Sequence, residues 1–353
     1  MLPGIRVAIK VVVTGAASRA YRCTFAGSGP TMNAIRTACM AGIVLAAMGW
    51  HVAAPAAAPK AGFQVPGFFR MQLGDLEVTS LDDGGFAFPP EMMKADLDQV
   101  VQLIGRDFPS DPPKFDGSIA GFLVNTGRQL ILVDAGIGHF GNFPGTGKLA
   151  TNLRAAGYRP EQVDLVLITH MHFDHIGGLL TKDGKRAFPN AVVRMAQAES
   201  DYWLSKDAAG SAPKDGPDFF RYAREAAAPY LAAGRWKPFA GTEELAPGVR
   251  PYPLAGHTPG HTGYEFSSKG ERLLAWGDTL HMAPVQFPHP EIGIAFDIDS
   301  QQAIEQRLKL FDAVADDRNV VIAAPHIGFP SMGRILRQDS GFGWVPIRYS
   351  PAR

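Results

Sequence analysis

The segment Thr169-His170-Met171-His172-Phe173-Asp174-His175-Ile176-Gly177-Gly178 constrains this chain more than any other. Three histidines and an aspartate fall within six residues, directly after the apolar run Val163 to Thr169. A continuous run of that kind reads as a strand buried on both faces. Extended backbone alternates its side chains, so His170 and His172 point the same way where the chain leaves the strand. Asp174 and His175 can then turn toward a neighbouring point. Imidazole and carboxylate together suit zinc and similar divalent cations. An incidental His-rich loop would need neither this spacing nor this place at a strand end.

One cation needs three or four protein ligands, and two need more. Further candidates follow at later strand ends. Gly256-His257-Thr258-Pro259-Gly260-His261-Thr262 is a Gly/Pro turn with two histidines, Asp278 follows the run Arg272 to Trp276, and His326 follows the run Asn319 to Ala324. Ligands at the same end of successive strands converge in a layered α/β fold. His261 is expected to orient the His257 turn by hydrogen bonding rather than to bind metal. His281 is expected to be an ordinary hydrogen-bonded histidine, with a place facing the substrate as the other reading. His139 and His289 lie in Gly/Pro-rich loops and are expected at the surface. No G-x-S-x-G elbow occurs, and no Ser or Cys nucleophile stands out.

Phe69 to Ser80 alternates enough to be an opening strand, with a turn signal at Asp82-Asp83-Gly84-Gly85. Residues 89–117 hold several prolines and one expected helix near 94–105, a candidate loop over a site. Gly121 to Asp134 reads as a hairpin turning at Asn125-Thr126-Gly127. Helices are expected near 146–156, stopped by Gly157 and Pro160, and near 300–315, with Ile304, Leu308, Phe311 and Ala315 on one face. Ala191 to Met195 is a further buried strand. Alternating strands and helices point to α/β layers.

Charge is zero overall but unevenly placed. No acidic residue precedes Asp75, while Arg6, Lys10, Arg19, Arg22 and Arg36 do. Met32 to Arg36, the apolar run Ala38 to Trp50 and the small residues 53–58 read as a signal peptide with cleavage sites. The run is too short to span a bilayer, which takes about 20 residues. The expected organisation is a leader over 1–58, with Met32 as its start, and a single hydrolase domain over 59–353. Removing the leader leaves 29 basic against 34 acidic residues, a net of −5, which argues against a nucleic-acid partner. Both cysteines, Cys23 and Cys39, fall in the leader. The mature chain is therefore expected in the periplasm or secreted, without disulfides, thiolate ligands or a membrane anchor.

The set His170-x-His172-x-Asp174-His175, His257, Asp278 and His326 resembles the full ligand set of metallo-β-lactamase-fold hydrolases. The stretches FRMQLGDLEVTSLDDG, FLVNTGRQLILVDAG, GHTPGHT, PHIGFPSMGRI and WVPIRYS resemble the methyl parathion hydrolase family within that group, from about Pro66 to the C-terminus. Phe173 departs from that family's proline, which bears on loop shape. The resemblance implies a four-layer αββα sandwich, an α/β fold. It implies one metal on His170, His172 and His257, a second on Asp174, His175 and His326, and Asp278 bridging them. Asp134 would be a buried structural partner of the metal loop. Two divalent ions are implied, zinc first, with manganese, cobalt or iron as alternatives. They would sit roughly 3.5–4 Å apart around a bridging hydroxide, with Asp174 and Asp278 as the catalytic carboxylates. A homodimer is also implied.

The family's aromatic leaving-group pocket has its nearest matches here in Phe140 or Phe143, Trp203, and Phe219 or Phe220, with core packing as the competing role for each. No Arg or Lys cluster surrounds the motifs. A small, neutral, apolar or aromatic substrate is therefore expected: an aryl ester or lactone, with phosphotriester cleavage on the side. The competing readings are a glyoxalase-like thioester hydrolase, a β-lactamase of the same fold, and a secreted metal-binding protein without catalysis. Asp278 argues against the β-lactamase. An intact second ligand set argues against the last, because structural sites close four ligands around one metal.

Overall fold

The structure is a computed structural model that describes residues 58, 60–62, 64–107, 115–140, 143–210 and 218–350. The proposed leader lies outside these residues, apart from Ala58 at its end. Residues Gln64–Arg353 form one compact unit.

Among the described residues, twelve strands make two six-stranded sheets. The first holds β1 (Phe68–Leu73), β2 (Leu76–Phe88), β3 (Phe115–Asn125), β4 (Leu130–Val133), β5 (Leu165–Leu167) and β6 (Val192–Arg194), in that order. The second holds β7 (Val249–Pro253), β8 (Thr262–Ser268), β9 (Glu271–Ala275), β10 (Val320–Ala323), β11 (Met332–Arg337) and β12 (Phe342–Pro346). Within the sheets, β4, β5 and β6 run parallel, as do β9 and β10.

Period-two alternation sorts the side chains into layers. Phe122, Val124, Ile131, Val133 and Leu167 meet Tyr264, Phe266, Leu273, Ala275 and Val321 between the sheets. Leu123, Leu132 and Val166 face outward onto Leu153, Trp203, Ala223 and Tyr230. On the other side Leu274, Trp276 and Ile322 pack on Leu310, Phe311 and Val314 of helix Ser300–Val314. This is the αββα sandwich expected from the sequence, and β4, β5 and β10 are buried along their whole length.

Three local expectations need correction. The opening strand is two strands, because Gly74 takes a left-handed φ of 57° and turns β1 back onto β2. Asp82 to Gly85 is no turn: it lies inside β2 at a register shift. Burying Asp83 there lets its carboxylate accept from Ile137 N at 2.7 Å and Leu149 N at 2.6 Å. The helix Ser300–Val314 buries Ala303, Arg307, Leu310, Phe311 and Val314, while Ile304, Leu308 and Ala315 sit only half-buried. The face is rotated because Arg307 points inward and donates to the carbonyls of Thr279, Pro290 and Ile292.

Candidate metal centre

The carboxyl ends of the parallel strands point to one edge of the sandwich, and the ligand-type residues follow directly from them. β4 leads into Asp134, β5 into His170 to His175, β9 into Asp278 and β10 into His326. His172 is the last extended residue before the short helix Phe173–Ile176, which swings Asp174 and His175 to the second side of the turn. The site therefore draws its residues from both sheets.

Two groups of potential donors result, each within 4.8 Å: His170, His172, His257 and Asp278 in one, Asp174, His175 and His326 in the other. All are buried. Asp278 lies between the groups. Its Oδ2 is 3.5 Å from His170 Nε2 and 3.3 Å from His257 Nε2. Its Oδ1 is 3.0 Å from His175 Nε2 and 3.1 Å from His326 Nε2.

Buried polar atoms normally find hydrogen-bond partners. Here His170 Nε2, His175 Nε2 and Asp278 Oδ1 have none. His175 Nε2 and Asp278 Oδ1 are close, yet their geometry is not that of a hydrogen bond. Lone pairs that converge without bonding each other fit a cation between them, and the imidazole–carboxylate donor set suits zinc. A third grouping adds His281 to Asp278 and His326.

Further partners fix the rings. Asp134 Oδ2 lies 2.8 Å from His175 Nδ1 and accepts from Thr169 Oγ1, so this buried aspartate ties the strand end to the turn. Asp297 Oδ1 lies 2.9 Å from His257 Nδ1, and the Ser118 carbonyl 2.8 Å from His326 Nδ1. Each leaves Nε2 to face the centre. His261 donates from Nδ1 to the Leu254 carbonyl, at the base of its own turn, and accepts at Nε2 from the Asp278 backbone N–H, so it reaches the Asp278 segment as well as the His257 turn. His281 Nε2 is 3.1 Å from Asp278 Oδ2, and its ring stacks on His326. Of the loop histidines, His139 is exposed and His289 half-buried.

Burial and the neighbouring imidazoles hold His170 well below its ordinary pKa, and His172 likewise. Burial also opposes charge on His175 and His257, but carboxylates outweigh it: His175 is held well above its ordinary value, and His257 is pushed up to about 9 by Asp278 and Asp297. Burial lowers His261 to about 3 and His281 to about 4.

Beside His172 stand Phe219, with ring centroids 4.8 Å apart, and Trp203, at 5.4 Å. Phe173 stacks on Phe219 and on Phe143. Phe140 packs on Tyr222, and Phe220 on Tyr202 and Trp203, within the core behind this wall. Across the centre, Phe88 meets His326 edge-on. Sequence reading missed Glu199, Asp297, Phe88 and the wall role of Phe173. A cavity of about 370 Å³ lined by Ala196, Phe239, Pro251 and Pro259 includes none of the seven donor residues; its walls offer no charged group, so the chemistry belongs to the histidine cluster.

The sequence pattern described as the metallo-beta-lactamase superfamily matches residues 116–326. The solved structure of hydrolase AbOPH, in the beta lactamase superfamily, has a TM-score of 0.77 at 37% identity, covering 82% of this chain and 100% of that one. AidC, a dizinc quorum-quenching lactonase solved in complex with a product, has a TM-score of 0.71 at 27% identity, covering 81% and 99%. An N-acyl homoserine lactonase from Bacillus sp is 26% identical over 220 residues, 57% of this chain and 78% of the relative. The corresponding lactonase of Bacillus thuringiensis is 27% identical over 173 residues, 43% of this chain and 60% of that protein.

Proposed function

The chain belongs to the metallo-beta-lactamase superfamily and is a metal-dependent hydrolase; from that premise we propose that it is a dinuclear lactonase that opens lactones and related neutral esters. The observation that carries this reading is the set of buried, unpartnered donor atoms on His170, His175 and Asp278. His170, His172 and His257 would hold one divalent cation, zinc foremost, and Asp174, His175 and His326 the other, with Asp278 shared. Bound there, the pair would acidify water toward a pKa of about 7 and polarise the oxygen of a scissile carbonyl.

The chain's own residues do the rest. Asp134, Asp297 and the Ser118 carbonyl keep the rings of His175, His257 and His326 turned inward. His261 holds the Asp278 backbone, so the shared carboxylate keeps its place between the two groups. The wall of Trp203, Phe219, Phe173 and Phe143 offers an apolar acyl or aryl group a seat beside His172. Arg307 is the only Lys or Arg among the fully buried residues described, and three carbonyls occupy it. That favours a neutral substrate over an anionic thioester or phosphate. AidC and the Bacillus relatives, named as lactonases, support the lactone class.

The resemblance to methyl parathion hydrolase adds phosphotriester cleavage as a secondary activity and a homodimer as the assembly. Export after removal of residues 1–58 completes the proposal; the N-terminal sequence of the protein recovered from its native source tests it.

The purified protein should hold about two metals per chain. It should hydrolyse N-acyl homoserine, γ- and δ-lactones or p-nitrophenyl esters faster than a phosphotriester, a thioester or a β-lactam. His172→Ala and Asp278→Ala should each lower turnover by about a hundredfold or more. One metal or none, with no turnover after reloading with zinc or manganese, would instead make this a metal-binding protein without catalysis.

A further inference from the structure

Glu199 is an acid that the proposed chemistry does not use. It sits on helix Gln197–Leu204 with no solvent exposure. Its Oε1 accepts from Met171 N at 2.8 Å and from Trp203 Nε1 at 2.7 Å. Its Oε2 accepts from Thr258 Oγ1 at 2.7 Å and from Gly260 N at 2.9 Å. Three of these four groups are N–H donors, which cannot accept a proton in return. A carboxylate satisfies all four at once; an amide in its place would turn its own donors toward other donors.

The four contacts span two separate ligand turns. Met171 lies between His170 and His172, and Thr258 follows His257. The approach is close: a Cβ on Gly260 would lie 2.3 Å from the Glu199 backbone nitrogen, so only glycine fits there. The rings thus held meet at His257 Nε2 and His172 Nδ1, 3.1 Å apart. Among the described side chains outside the donor residues themselves, Glu199 is the one that hydrogen-bonds to both turns, while the backbone joins them where Thr262 N donates to the Thr169 carbonyl at 3.0 Å.

We infer that Glu199 is a positioning residue for the first cation, its carboxylate fixing the separation of the His170–His172 turn from the His257 turn. This rests on the reading that these three histidines hold that cation. The second group, Asp174, His175 and His326, has no bond to Glu199, so the effect is confined to one of the two sites. Partners of this kind, bonded to ligands rather than to metal, typically change metal affinity about 10–100-fold.

Zinc affinity, measured by competition with a chromophoric chelator on the full protein and on Glu199→Gln, tests the inference without activity. Wild type should bind two zinc ions. Glu199→Gln, with an unchanged far-UV circular dichroism spectrum, should bind one of them about 10–100-fold more weakly and the other as before. The cobalt-loaded variant should lose part of its visible absorption in the same proportion. Thr258→Val is the second variant, removing one donor while keeping the carboxylate. It should weaken the same site by less than about tenfold in a folded protein, which keeps the inference testable if Glu199→Gln does not fold. Equal losses at both sites would make Glu199 a merely structural residue, and unchanged affinities in the variants would overturn the inference. A wild type binding fewer than two zinc ions would instead bring down the two-cation reading, so the two failures are distinguishable.

Discussion

At the scale of single residues, the chain places several carboxyls where water cannot reach them, and each is held by donors. Asp83 is the one whose titration should be visible in stability. Burial pushes it up to about 7, against the pull of the Leu149 and Ile137 N–H groups. Unfolded, it ionises near 3.8. Between those values the folded chain binds a proton that the unfolded chain has lost, so Asp83 makes stability fall as pH rises toward about 7. In chelator-treated protein, the urea midpoint of Asp83→Asn should fall less steeply than wild type from pH 4 to 7; parallel curves would refute the assignment. The seven donor residues were legible because each stands at a strand end in a short run of Gly, Pro or His. Glu199 and Asp297 were not. Their roles arise from groups 28 to 61 residues away in the chain, and nothing local separates them from ordinary surface acids.

At the scale of elements, the strands were read correctly wherever both faces are buried, as in β4, β5 and β10, because such runs are apolar throughout. Errors arose where a single residue overrides the pattern: Gly74 splitting one strand into two, Asp83 drawing a Gly-rich stretch into β2, and Arg307 rotating a helix. The same helix shows how an element end serves the site. Asp299 caps it, accepting from Gln302 N at 3.0 Å, while its own N–H donates to the Gly256 carbonyl and Ile298 N donates to the His257 carbonyl. Asp299→Ala should cost about 1 kcal/mol of stability, read from the urea midpoint. The metal content should not change, because the backbone bonds to the His257 turn remain. A loss of bound metal would mean that the cap itself holds that turn.

At the scale of the whole molecule, the two sheets meet twice, once through the apolar layer between them and once through the donor cluster at their edge. Bound cations should therefore stabilise the sandwich as a unit. Saturation at a hundred times the dissociation constant is worth about 2.7 kcal/mol per site. For a chain of this size, calorimetry with and without EDTA should show the unfolding temperature drop by about 1.5 °C per kcal/mol lost. An unchanged temperature would show that the sheets hold together without the centre. The division of donors between the sheets has a further consequence. A break in the chain between His175 and His257 would leave one fragment with His170, His172, Asp174 and His175, and the other with His257, Asp278 and His326. Neither fragment would carry a complete set for either cation of the proposed pair, so metal capture would act as a coincidence detector, registering only when both halves have found each other.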